Sequence, residues 1–206
     1  MSKKMKSLVG ILALALIVSV GFNLVSNFVN APQTQQVINV MRTEALKGWL
    51  GKMELVESVL KEAKTNDNIE QAYEYVRGDV HHFAEILSAG SSEPMYWAIS
   101  TATYWLGEGL LDMYFGKSVG AVWTRNLDQT ELSLIANLTN NLDGILIRSA
   151  LPPAQRLVHM LDYSSNMTGM DPAQELQKVG ANMTAVQEHL NQIIQISWYI
   201  VHALYY

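Results

Sequence analysis

Glu108 and Asp112 are the side chains in this 206-residue chain whose type and spacing most suggest chemistry. They are the only charges between Glu93 and Lys117, and they sit among Tyr104, Trp105, Leu106, Leu110 and Leu111. Spaced i and i+4, they share one helix face and repel each other by about 0.2–0.5 kcal/mol. An apolar stripe of Trp97, Thr101, Tyr104, Leu111 and Phe115 predicts that Glu108 turns inward. An inward carboxylate needs a cation, a network of donors or a proton. Arg77, Arg148 and Arg156 are the candidate partners. Aromatic walls with a few polar groups are also what a small-molecule site is made of. The candidate ligand-binding set is therefore Glu108, Asp112, Trp97, Tyr104 and Trp105. The plainer reading is a core helix, because Ala98, Ser100, Ala102, Gly107 and Gly109 would let another helix approach closely.

A second group of titratable residues is Glu70, Glu74, His81, His82 and Glu85. His81 and Glu85, four apart, have a spacing that can hold a transition metal on one helix face. The apolar register places Glu74, His81 and Glu85 on the outer face, and Glu74 lies two turns (about 10 Å) from His81. No Glu-x-x-His pair occurs, as a di-metal bundle would need. These three are weak metal candidates, and no cofactor is expected.

Three short motifs are better explained by their surroundings. Arg77-Gly78-Asp79 spells an adhesion tripeptide but falls inside a helical pattern. Gly116-Lys117-Ser118-Val119-Gly120 has the Gly-x-Ser-x-Gly spacing of a nucleophile elbow, which requires a strand before it. Here a helix precedes it, so it reads as a helix-ending turn. Asn137, Asn166 and Asn182 open N-x-Ser/Thr sequons, relevant only in a host that glycosylates exported proteins.

The elements that must position these residues are helical. Leu46, Met53 and Leu60 alternate with Trp49, Val56 and Ala63 in steps of three and four. Upstream, Ile38, Met41 and Ala45 carry that stripe, because Asn39 and Arg42 occupy the strict heptad positions. A second helix follows Ile69, Tyr73, Val76, Val80, Phe83 and Leu87, weakened by Gly78 at about 1 kcal/mol relative to alanine. A third opens near Pro94 and ends at Gly116. Asp128 and Glu131 form a capping box for a fourth. After Pro152-Pro153 comes a short helical segment with Leu157, Val158 and Leu161 inward. The pattern from Asp171 to the end predicts one long C-terminal helix. The fold class is thus all-α, an up-and-down bundle of about five helices preceded by a transmembrane or signal helix.

That N-terminal segment sets the expected location. Lys3, Lys4 and Lys6 precede an uncharged run from Ser7 to Met41. Residues 8–29 are apolar and long enough to span a bilayer, with the lysines on the cytoplasmic side. The expected organisation is a signal-anchor at 1–31 and an extracytoplasmic helical domain at 32–206. The alternative is cleavage near Ala31 and secretion, which Pro32 disfavours. About seven residues would face the cytoplasm, so any signal would pass through a partner.

Of 14 basic and 19 acidic residues, three basic and no acidic ones fall in 1–31. The remainder carries 11 against 19, a net charge near −8, which repels phosphate backbones and excludes nucleic acid as a partner. With no cysteine, packing alone must hold the domain together. The expected function is binding of a protein partner or small ligand, or homo-oligomer formation, without evident catalysis. The competing classes are a metal protein or carboxylate enzyme assembled across helices, and a purely structural envelope protein.

Overall fold

The computed structural model describes residues 33–116, 123–146, 156–158, 161 and 170–205. The chain forms two compact units, residues 1–39 and 40–206. In the first, residues 33–39 are helical, and the anchor expected at 1–31 lies outside the described residues. No helix among the described residues is long and apolar enough to cross a membrane. Pro152-Pro153, Arg148, Ser118, Gly120 and Asn166 also lie outside them.

Every regular element among the described residues is helical, as the three-four spacing requires. Helix α1 covers 33–61 and belongs to the second unit from residue 40. Helix α2 (Asn66–Tyr75) passes through a π-helical turn (Val76–Val80) into α3 (His81–Ser88). Then come α4 (Pro94–Phe115) and α5 (Gln129–Leu146). Last are α6 (Pro172–Lys178), α7 (Met183–Tyr199) and a second π-turn (Ile200–Leu204). Helix α4 packs against α2, α3 and α7, and α5 packs against α7. The heptad residues of α1 are buried, as are Leu157, Val158 and Leu161.

Two expectations are corrected by packing. Met41 is exposed, and Arg42 holds the heptad position instead, only 8 % exposed. Its Nη2 donates to the Ala89 carbonyl at 2.8 Å, and its guanidinium lies 5.5 Å from the Tyr96 ring centre. The cation thus sits on an apolar seam by closing the end of α3 and covering an aromatic face. The long C-terminal helix is also broken. Gly180 adopts φ +89°, and its amide donates to Gln177 while that of Ala181 donates to Leu176, both at 2.9 Å. This is a glycine C-cap of the Schellman type. Asn182 restarts the chain by accepting from the amides of Thr184 and Ala185. The apolar spacing continues across the break, which is why periodicity alone concealed it.

The Asp128–Glu131 capping box forms in both directions, at 2.8 and 2.9 Å. Glu131 does more than cap. Arg125 grips its two oxygens at 2.6 and 2.8 Å and also donates to the Met113 carbonyl at 2.7 Å. The Tyr205 hydroxyl donates to Glu131 at 2.6 Å. Meanwhile the loop at 123–127 is stitched to the start of α2 through Asn66 and Lys64. Burial alone would raise the Glu131 carboxyl, but Arg125, Tyr205 and the Asp128 amide outweigh it and hold the group below its ordinary 4.5.

Two measurements probe this packing. Gly109 meets the Ser197 backbone, where an added Cβ would lie 3.2 Å from its Cα, whereas a Cβ at Gly78 meets nothing within 4 Å. By chemical denaturation, Gly109→Ala is expected to lose stability by about 1–2 kcal/mol, overpacking outweighing helix propensity. Gly78→Ala is expected to gain up to about 1 kcal/mol. Equal shifts in the two would refute the close approach. For the ion pair, a depressed folded pKa gives stability that is complete above pH 4.5 and lost as pH falls through the folded value. Arg125→Ala is expected to cost roughly 3 kcal/mol at pH 7. The variant should lose less than wild type on acidification, and parallel acid curves would count against the pair.

Candidate functional site

Helix α4 is where the sequence placed its candidate site. Its buried face is Met95, Tyr96, Ala98, Ile99, Ala102, Thr103, Leu106, Gly109, Leu110 and Met113. The stripe expected to face inward is the opposite edge. Trp97 is 55 % exposed, Tyr104 50 % and Phe115 42 %, with Thr101 exposed as well. The correction has a physical cause. Small residues at 98, 102 and 109 let neighbouring helices come close, so the core closes over them and the larger aromatics are left outside. The expected inward turn of Glu108 fails with its stripe, since Glu108 and Asp112 are both half-buried on this outer face.

The face is bordered by the two π-turns, each in contact with α4. On one side, Tyr104, Gly107 and Glu108 of α4 meet Tyr73, Val76, Arg77 and His81 across a cleft of about 370 Å³. A π-turn inserts one extra residue into a helix and is found disproportionately at functional sites. Gly78 lies inside this one. Arg77, one of the three partners expected for Glu108, reaches the same cleft without forming an ion pair with it, and rests 6.0 Å from the Tyr73 ring centre. Asp79, from the same tripeptide, turns to Lys52 of α1 at 2.7 Å. An adhesion motif presented on a loop is therefore not what the structure contains.

On the other side, the second π-turn brings His202 between two tryptophans, 5.8 Å from Trp105 and 4.5 Å from Trp198, both edge-on. Tyr104 meets Trp105 edge-on at 5.5 Å. Asp112 lies near His202. Burial pushes the Asp112 carboxyl above its ordinary 3.8, and the His202 charge only partly offsets this. Sequence reasoning missed His202 and Trp198 because they enter from a helix 90 residues away.

The histidine–carboxylate group on α2 and α3 is a solvated edge. His81 sits 3.3 Å from Glu85, Glu74 is exposed, and the described residues contain no trio of His, Asp or Glu able to hold a metal. Carboxylates do meet across helices elsewhere. Arg156, the third expected partner of Glu108, binds Glu57 (2.9 Å) and Asp143 (3.1 Å) instead, with Lys61 2.7 Å from Glu57. Glu57 is 2 % exposed. Burial, then the Asp143 carboxyl, push its carboxyl above the ordinary 4.5 against the pull of Lys61 and Arg156. With two cations shared between two carboxylates, this cluster ties α1 to α5.

Of the sequons, Asn137 is exposed within α5, and the Asn182 side chain is occupied in capping α7. No family model, curated protein or solved structure matches this chain.

Asp112 is poorly placed for stability on three counts. It repels Glu108, it stands in the last turn of α4 where the helix dipole disfavours an anion, and burial raises its carboxyl. A raised folded pKa means that stability falls as pH rises through it. Asp112→Asn is therefore expected to gain about 0.2–0.5 kcal/mol at pH 7. That gain should vanish at pH 3, as measured by thermal unfolding at both values. A loss at pH 7 would show that the carboxylate has a structural partner.

Proposed function

We propose that this chain is a membrane-anchored, extracytoplasmic helical domain that binds a small ligand on the outer face of α4. The observation that carries the reading is the cleft beside Glu108. It holds a carboxylate and a guanidinium, from α4 and the first π-turn, that do not pair with each other. Buried carboxylates need partners, and here Glu57 and Glu131 have them, as does the part-exposed Asp143. Arg77 is exposed and Glu108 half-buried, so both charges in the cleft are reachable from solvent by a ligand. The volume of about 370 Å³ falls within the range of small-molecule sites.

Anchoring follows from the sequence alone: the basic start, then the apolar run at 8–29. A second reading, contact with a protein partner, is favoured by Trp198 and Tyr199, which are 51 % and 44 % exposed beside the cleft face. Exposed aromatics of this kind are enriched in interfaces.

Native mass spectrometry of the full chain isolated from its own membranes tests the proposal. Added mass of small-molecule size is expected on wild type. It should fall by at least tenfold in occupancy in Glu108→Ala/Asp112→Ala, one charge-assisted contact being worth about 1.5–3 kcal/mol. The helical circular dichroism should be unchanged. A bound mass that persists in the double variant would remove α4 from the site. A protein-sized mass lost in Trp198→Ala would favour the partner reading.

A further inference from the structure

We infer that the cleft between α4 and the first π-turn takes a zwitterion, a small molecule carrying an ammonium and a carboxylate, of which a neutral-side-chain amino acid is the simplest. This rests on the small-ligand reading above and names its ligand class.

Glu108 and Arg77 line the same cleft from opposite walls. Among the described residues neither side chain takes part in an ion pair or hydrogen bond, and the exposed Arg77 guanidinium rests over the Tyr73 ring. An anionic ligand would satisfy Arg77 but bring a second negative charge beside Glu108. A cation would do the reverse. Only a ligand with both charges satisfies both walls. The guanidinium offers a planar fork that suits a carboxylate. Glu108 accepts from an ammonium, and the ring of Tyr104 beside it attracts one as well.

The surrounding field points the same way. The domain's net charge near −8 discourages free anions over roughly a Debye length of 8–10 Å, whereas a zwitterion carries no net charge. The floor is open because Gly107 has no side chain there; a Cβ would already touch Val76 Cγ1 at 3.4 Å.

The test uses saturation-transfer NMR on the full chain in detergent micelles. The probes are glycine, L-valine and L-phenylalanine, then the amide and the N-acetyl derivative of whichever binds. At least one amino acid should bind, its amide and N-acetyl forms each about tenfold more weakly. Arg77→Gln should abolish the preference over the amide, and Glu108→Gln the preference over the N-acetyl form. Gly107→Leu, which leaves both charges in place, should block binding by filling the floor. Binding of a half-charged analogue as strong as the parent would overturn the zwitterion. So would failure of all three amino acids on a chain whose native spectrum carries a ligand lost in Glu108→Ala, while leaving the binding reading intact. No probe binding and no added native mass would remove both.

Discussion

The grip of Arg125 on Glu131 holds together parts of the domain that are far apart in sequence. Through Arg125 it closes the C-terminal carbonyls of α4, and through the adjoining loop it fixes the start of α2. Through Glu131 it opens α5, and through Tyr205 it receives the end of the chain. Both members are charged, and a buried charge without its partner is costly, so the pair is tightly specified even where its net contribution is modest. Gly116 lets it form. At φ +59° this residue ends α4, and a Cβ there would lie 2.7 Å from the Arg125 guanidinium.

With its ends fixed, α4 has little freedom in which face it buries. Gly109 against the Ser197 backbone sets its distance from α7. What remains outside is a row of aromatic and acidic side chains that the core cannot absorb. The indole of the buried Trp49 donates to Thr103, and the hydroxyl of Tyr96 donates to Asp171. By contrast, Trp97, Tyr104 and Trp198 keep half their surface in water. On α4 itself the inner Thr103 and Tyr96 are hydrogen-bonded. On the outer face the Trp97 indole donates to Ser91, while the Glu108 carboxylate has no hydrogen bond or ion pair among the described residues. That contrast, more than the presence of aromatics, separates a site from a core.

Local signals in the sequence were readable and distant ones were not. The α1 heptad, the Asp128–Glu131 box, Pro94 at the start of α4 and the end of α3 near Gly90 all depend on residues within a few positions of each other. Arg42 interrupts the heptad in the sequence because a cation on an apolar seam looks wrong until Ala89 and Tyr96 are beside it. The outer face of α4 was mistaken for its inner face because it carries the larger side chains. Close packing favoured the small ones, a preference set by the partner helices and absent from the spacing. Glu108, Asp112, Tyr104 and Trp105 were found as candidates because isolated charges among aromatics stand out in any register. Arg77 was considered as a partner for Glu108. Its place across a cleft rather than in a bond required the π-turn.

The first π-turn also faces α1, and the strengths of the two connections differ. Asp79 pairs with Lys52 at 2.7 Å, but both side chains are substantially exposed, and such pairs contribute about 0–1 kcal/mol. Within α3's first turn, the Phe83 ring covers Gly48 of α1 so closely that no Cβ would fit there unless the ring moved. A packed aromatic cannot slide without opening a void, whereas an exposed ion pair can lengthen at small cost. The packed contact of Phe83 on Gly48, rather than the exposed ion pair, is therefore the firmer link between this segment and α1.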